Sequence, residues 1–306
     1  DVLLSTPFIR GLKDYFPSLQ IDFLVKREYA AALEHNPYID NLILYDNNYA
    51  RMITKDLKKN KYDLIIDLQN SFRSRIITVR LKSRIVRFNK KNLDKFLLVF
   101  FKINRLRNSL TIPERYAETI DRHLLDSEGL DLFLPLNIQS RIPSFPRVVG
   151  FCPGSKHFTK RWLPEYFIEL GKILVKNGII VVTLGGAADK QLCRNIIEKI
   201  PGAVDYSTED DLFQIAKDMK SCNVIVCNDS GLMHVACAMK VPVVTVFGSS
   251  VREFGFAPYL NPHVILENNN ISCRPCSHIG KEECPKKHFK CMKDISPDMV
   301  YKATLR

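Results

Sequence analysis

Short runs of β-branched residues alternate with helix-patterned segments along most of the chain, and this alternation limits the possible folds more than any other feature. In the first half, residues 21–25 read as a strand, 28–35 as a helix and 41–44 as a strand. A basic helix and a strand over 64–67 follow; Ser71 then caps a helix reaching Leu81, and 85–88 is a further strand. Strands separated by helices form a parallel sheet covered on both faces.

Residues 138–146, Ile-Gln-Ser-Arg-Ile-Pro-Ser-Phe-Pro, hold two prolines in four residues and suit an extended linker. Beyond it the alternation resumes. A strand over 148–151 enters Cys-Pro-Gly-Ser, and a helix opens at Pro164 and stops at Asn177-Gly178. A strand over 179–184 ends in Gly185-Gly186, and one over 224–227 enters Asn-Asp-Ser-Gly. A helix over 232–239 and a buried strand over 243–247 complete the pattern. With 306 residues, the economical architecture is two doubly wound α/β domains facing each other across a cleft.

The longest apolar run, Phe96 to Phe101, has six residues, whereas a spanning helix needs about 20. Residues 1–20 read as an amphipathic helix with internal charges rather than a secretory signal. The net charge is +12, and between Arg51 and Arg122 there are 19 Lys/Arg against 7 Asp/Glu. Such a one-sided excess favours anionic partners: nucleic acid, acidic lipid headgroups or phosphorylated sugars. No aromatic-and-basic RNA signature or zinc-finger spacing singles out nucleic acid. A polyanion binder would also leave the most distinctive segment of the chain, Asn228–His234, unexplained.

In open parallel sheets ligands bind where strand ends pass into helices. Three loops of the second half fit. In Asn228-Asp229-Ser230-Gly231-Leu232-Met233-His234, Asp229 or Ser230 can cap the next helix, so that its first N–H groups face an anion. His234, one turn on, can donate to a phosphate oxygen. In Cys152-Pro153-Gly154-Ser155, continuing through Lys156, Thr159, Lys160 and Arg161 to Trp162, glycine and serine admit a ligand to the backbone and lysines add point charges. This is not the Gly-x-x-x-x-Gly-Lys-Ser/Thr pattern of nucleotide hydrolases. The third loop, Leu184-Gly185-Gly186-Ala187-Ala188-Asp189, also reads as a plain strand-to-helix turn.

Taken together these segments resemble glycosyltransferase family 9, the lipopolysaccharide heptosyltransferases. The matching text is Pro-Gly-Ser…Lys-Arg-Trp-Leu-Pro-Glu-Tyr-Phe, Val-Val-Thr-Leu-Gly-Gly, and Asn-Asp-Ser-Gly-Leu-Met-His-Val-Ala…Val-Pro-Val-Val-Thr-Val-Phe-Gly. The opening Asp1-Val-Leu-Leu-Ser-Thr-Pro-Phe-Ile-Arg, Asn36-Pro37-Tyr38-Ile39-Asp40 and the stretch from Asp67 to Ser74 are also similar to that family. The resemblance implies a GT-B fold, with an acceptor-binding Rossmann-like domain over 1–140 and a nucleotide-sugar-binding one over 147–306. It implies inverting, metal-independent transfer of heptose from ADP-heptose onto the lipopolysaccharide inner core; the alternative is another sugar in cell-envelope glycan synthesis.

Carried over by position, Lys160 neutralises the diphosphate, and Ser230, Gly231 and His234 bind its oxygens around Asp229. Ser155 lies in the same donor region, and Asp189 is placed on the nucleoside or ribose side. Arg73 and Arg75 would meet carboxylates or phosphates of the acceptor. The base aligns with Asp1, which reads equally as a helix cap. Because the family has a strand and a glycine before this Asp, the chain is expected to be a fragment, with the first strand missing. The expected enzyme is cytoplasmic, in peripheral contact with the anionic inner face of the membrane, and binds no nucleic acid.

Of nine cysteines, five lie scattered in apolar or helical stretches and read as small buried hydrophobes. The odd count and the lack of a signal argue for a reducing compartment. The other four, Cys273, Cys276, Cys284 and Cys291, with His278 and His288 between them, have the spacing of a structural zinc knot, one or two disulfides, or free thiols. No cofactor is expected in the transfer itself.

Overall fold

The computed structural model describes residues 2–306; Asp1, the expected base, lies outside the described residues. A 3-10 turn at Val2–Ser5 leads into helix α1 (Thr6–Tyr15), with Pro7 in its first turn, where no N–H is needed. Strand β1 (Asp22–Lys26), strand β2 (Asn41–Tyr45), helix α2 (Ala50–Lys59), strand β3 (Leu64–Asp67), helix α3 (Phe72–Val79) and strand β4 (Arg84–Arg87) follow. Helices α4 (Asn92–Phe96) and α5 (Ile112–Ala117) complete the first part. The expected helix over 28–35 is instead a 3-10 segment, Arg27–Ala32, with no fully buried residue. Without a buried face, little stabilises a longer helix there.

The chain divides into two compact units, Asp1–Asn92 with Leu110–Phe133, and Leu93–Ser109 with Leu134–Arg306. Residues 93–109 thus go with the second unit although they precede the proline-rich segment. The reason is packing: Leu98 and Leu106 are buried against Val251 and Phe254.

In the first unit, β1 pairs in parallel with β2 and β3 with β4, as two separate two-stranded sheets among the described residues. Arg10 of α1, only 5% exposed, donates to both oxygens of Asp126, to Asp131 and to the Gly129 carbonyl. A buried guanidinium needs this full set of partners, and it ties α1 to residues 126–131.

The second unit is built on strands β5 (Val148–Cys152), β6 (Ile180–Thr183), β7 (Val204–Asp205), β8 (Val224–Asn228), β9 (Val243–Phe247) and β10 (His263–Glu267). Its helices are α6 (Pro164–Lys176), α7 (Lys190–Ile197), α8 (Leu212–Met219), α9 (Gly231–Ala238), α10 (Lys290–Lys293) and α11 (Pro297–Thr304). All six strands are parallel, in the order β10-β9-β8-β5-β6-β7. Every residue of β5 and β9 is buried, as expected of a sheet covered on both faces. Phe167, Leu170 and Leu174 of α6 pack with Trp162, Phe151, Ile295 and Val300 in the core.

The strand order fixes the place of a site. From β5 the chain builds outward through β6 and β7, then returns to the other side of β5 for β8, β9 and β10. The sheet therefore changes direction between β5 and β8, where a crevice opens at the carboxyl ends of the strands.

Candidate functional site

Two of the three predicted loops leave the sheet from β5 and β8, on either side of that switch point. Asn228, the last residue of β8, is fully buried and fastens them together. Its Nδ2 donates to the Pro153 carbonyl (2.7 Å), and its Oδ1 accepts from the Trp162 N–H (2.9 Å). The Trp162 indole N–H donates in turn to the Ile295 carbonyl at 2.9 Å. One side-chain amide thus sets both ends of the loop that carries Ser155 and Lys160.

Lys160 reaches Asp229, with Nζ 2.7 Å from Oδ2 and both side chains largely buried. The same Asp229 oxygen accepts a hydrogen bond from the Ser250 hydroxyl, in the loop after β9. Arg274 holds that loop by donating to the carbonyls of Gly248 (2.7 Å) and Ser250 (2.9 Å). The ammonium is therefore held at the crevice by a carboxylate that is itself fixed from a neighbouring strand end.

Helix α9 starts at the same place. Ser230 occupies its N-cap position with no side-chain capping bond. The Ser230 hydroxyl and His234 Nδ1 are buried without a partner, as is the Ser249 hydroxyl. Buried polar atoms are nearly always paired, so several unpaired ones beside a lysine and a helix N-terminus describe a place prepared for an anion. Burial holds the His234 pKa well below the ordinary histidine range, so the ring is neutral at physiological pH and offers a single N–H donor. A Cβ added to Gly231 would meet nothing within 4 Å. Glycine is not required there by the protein's own packing, and the space beside this first residue of α9 is open.

Asp189, at the start of α7, joins these loops from the other side of β5. A Cβ on Gly154 would fall 2.0 Å from its carboxylate, and one on Gly185 would fall 2.8 Å from its Cβ. Glycine at 154 is thus required by close approach, and the Gly-Gly turn brings Asp189 against the β5 loop. Burial raises the Asp189 pKa, with the Arg161 charge opposing it. Arg161 also donates to the Ser155 carbonyl at 2.6 Å.

The second unit therefore brings together Ser155, Lys160, Asp189, Asp229, Ser230, Gly231 and His234. Arg73 and Arg75 lie in the first unit, both exposed on α3. Arg73 stacks over the Tyr45 ring at 5.8 Å, and Arg75 donates to Asn70. The turn before α3 is organised by buried Asp67, which accepts from the Asn70 N–H (2.7 Å) and the Ser74 hydroxyl (2.9 Å). Sequence reasoning missed the roles of Asn228, Ser250 and Arg274. For Ser250 the available signal was a Phe-Gly-Ser-Ser run at the end of a buried strand.

Cys273, Cys276, Cys284 and Cys291 line one small cavity of about 20 Å³ together with His288, whose Nε2 is 3.7 Å from Cys273 Sγ. The four thiols suit zinc chemically, but among the described residues no three such side chains are arranged to hold a metal ion. The tail bears on the crevice through its backbone: the Cys276 N–H donates to the Ser249 carbonyl, and the Lys281 N–H to the Thr159 hydroxyl.

A family model described as glycosyltransferase family 9 (heptosyltransferase) matches residues 50–287. The lipooligosaccharide heptosyltransferase 2 of Campylobacter jejuni is 25% identical over 98% of this chain and 93% of its own length. Among solved structures, a family 9 glycosyl transferase from Veillonella parvula is similar at a TM-score of 0.80 and 20% identity, covering 99% of this chain and 92% of that one. The E. coli ADP-heptose LPS heptosyltransferase II is similar at a TM-score of 0.74 and 24% identity, covering 99% and 93%. The structural likeness is one of fold, the α/β GT-B fold, and it runs over nearly the whole chain.

Proposed function

The chain belongs to glycosyltransferase family 9, the heptosyltransferases, and on that premise we propose that it moves heptose from ADP-heptose onto the inner core of lipopolysaccharide, with inversion and without a metal in the transfer. The observation that carries this reading is the set of buried, unpaired polar atoms on Ser230 and His234 beside Lys160 at the switch point. A diphosphate supplies the acceptor oxygens these groups lack. As the bond to the sugar breaks, negative charge grows on the departing diphosphate, and Lys160, the His234 N–H and the first N–H groups of α9 stabilise it. Asp189 faces the nucleoside or ribose side. Asp1 serves as the base that takes the acceptor hydroxyl's proton, and Arg73 and Arg75 meet anionic groups of the acceptor.

Ligand-dependent thermal stability tests the donor assignment. At a hundredfold excess over its Kd, ADP-heptose should add about 2.7 kcal/mol of stability. Gly231→Ala should leave the unliganded protein as stable as before or slightly more so, because the methyl meets no neighbour. It should nevertheless abolish the shift, because the methyl occupies the approach to α9. Protection by a different nucleotide sugar and none by ADP-heptose would assign another donor to the family fold.

No helix among the described residues is long and apolar enough to cross a membrane. The reading places the enzyme in the cytoplasm, at the inner membrane face, supported by the net charge of +12. For the tail we propose a structural zinc held by Cys273, Cys276, Cys284 and Cys291, supported by the four-thiol donor set around one cavity; the thiols would have to draw together on the metal, since as they stand no three are arranged to hold one among the described residues. The expected result is one zinc per chain in protein purified under reducing conditions. A ratio near zero would leave four free thiols.

A further inference from the structure

The segment Leu93–Ser109 has two faces of opposite use. Inward, Leu98 and Leu106 are buried against Val251 and Phe254 and anchor it to the second unit. Lys102 fastens it again, its Nζ donating to the carbonyls of Pro275 (2.7 Å) and Cys273 (3.2 Å). Outward, α4, the single wide helical turn after it (Leu97–Phe101) and the residues just beyond display Leu93, Phe96, Phe100, Phe101 and Ile103, exposed by 48–69%. The rings form one patch, with centroids of Phe96 and Phe100 4.7 Å apart and of Phe96 and Phe101 5.9 Å apart. Scattered exposed apolar residues are ordinary, but a rigidly mounted aromatic cluster is not.

The charge around the patch identifies what covers it. Residues 93–109 carry four basic side chains, Lys95, Lys102, Arg105 and Arg107, against one acid, Asp94. Arg105 and Arg107, a few residues along the same segment, are exposed. Aromatic and aliphatic side chains flanked by arginine and lysine match the interfacial layer of an anionic bilayer, where rings enter the headgroup region and cations meet lipid phosphates. A second copy of the chain fits poorly, since a two-fold contact would set the same basic residues against each other.

We propose that Leu93, Phe96, Phe100, Phe101 and Ile103 form the surface by which this protein docks on anionic lipid, with Arg105 and Arg107 at its rim. The proposal rests on the transferase reading, because a lipid-anchored acceptor is what brings such an enzyme to a bilayer. It moves the membrane contact from the first unit, where the basic excess alone would have put it, to an aromatic patch on the second.

Co-sedimentation with phosphatidylcholine–phosphatidylglycerol vesicles at low salt tests it, using the full chain and its F100S/F101S variant. Both rings are exposed, so the variant should fold and keep its thermal shift with ADP-heptose. Its vesicle binding should weaken roughly tenfold to a hundredfold, and wild-type binding should fall when phosphatidylglycerol is omitted. Equal sedimentation of the two proteins, or wild type remaining in the supernatant, would overturn the proposal while leaving donor binding intact. So would a wild-type dimer in solution that the two serines dissociate, which would make the patch a contact between copies. Loss of the ADP-heptose shift in both proteins would instead count against the donor reading.

Discussion

Replacing Lys160 by alanine should lower kcat/KM for donor turnover about a hundredfold to a thousandfold, the usual effect of removing one preorganised group that faces charge growing in a transition state. The fall should lie mainly in kcat, because the charge on the departing diphosphate is greater in the transition state than in the bound donor. The same substitution has a second consequence. Lys160 Nζ is 2.7 Å from Asp229 Oδ2 and both are largely buried, so removing the lysine leaves a buried carboxylate with the Ser250 hydroxyl as its side-chain partner among the described residues. Breaking a buried pair from one side costs about 3–5 kcal/mol in well-shielded cases. The two effects separate in a double-mutant cycle: adding Asp229→Asn to Lys160→Ala should restore much of the stability and none of the turnover. Turnover within threefold of wild type for Lys160→Ala would reduce the lysine to a structural partner of Asp229.

Why a buried lysine faces a carboxylate follows from the same geometry. An ammonium at a dry crevice needs a counter-charge when no ligand is present. Asp229 supplies it, and the hydroxyl of Ser250 and the bonds from Arg274 keep that counter-charge in place. On the proposed donor reading a diphosphate competes with Asp229 for Lys160 instead of drawing a solvated lysine into the crevice, which makes the site largely preformed.

The segments that carry these groups were legible in the sequence because local chemistry dictates them. Helix α6 begins at Pro164 and ends before Asn177-Gly178 in the structure as in the sequence pattern, since proline at the first turn and glycine just past the end leave little freedom. Strand β9, Val243–Phe247, is apolar on both faces and was recognisable as buried. The capping box at Ser71 and Ser74 was only half legible: the cap residue showed in the pattern, while its serine partner departs from the usual glutamate or glutamine. The helical pattern over 28–35 misled because Leu33 alone among its apolar residues is fully buried, too narrow a face to hold a full helix.

What the sequence withheld were pairings across long separations. The bond from Arg274 to Gly248, the donation from Lys281 to Thr159 and the burial of Leu98 against Phe254 join residues 26, 122 and 156 positions apart. No local period reports such contacts. For that reason the tail read only as a set of cysteines open to zinc, disulfides or free thiols, although its backbone braces the loops around Asp229. For the same reason residues 93–109 read as part of the first domain.

A loss of stability comparable to that at Lys160 is expected at Asn228, a residue whose position in the motif was plain and whose work was not. Asn228→Ala removes an acceptor from the Trp162 N–H and a donor from the Pro153 carbonyl. The site is fully buried, so water does not readily replace either bond, and each orphaned group costs about 1–3 kcal/mol. Together the loss is roughly 2–6 kcal/mol, a fall in Tm on the order of 5–15 °C. Asn228→Asp keeps the acceptor for Trp162 but sets a carboxylate against the Pro153 carbonyl, and should be no better than alanine. Below its own unfolding transition, either variant should also bind ADP-heptose at least about tenfold more weakly, because the loop that places Ser155 and Lys160 has lost the bond at each of its ends. Calorimetry and a donor titration on the folded variant distinguish this from simple destabilisation. Wild-type donor affinity with a lowered Tm would confine Asn228 to the core, and an unchanged Tm would mean that the β5 and β8 loops are held together by something other than this amide.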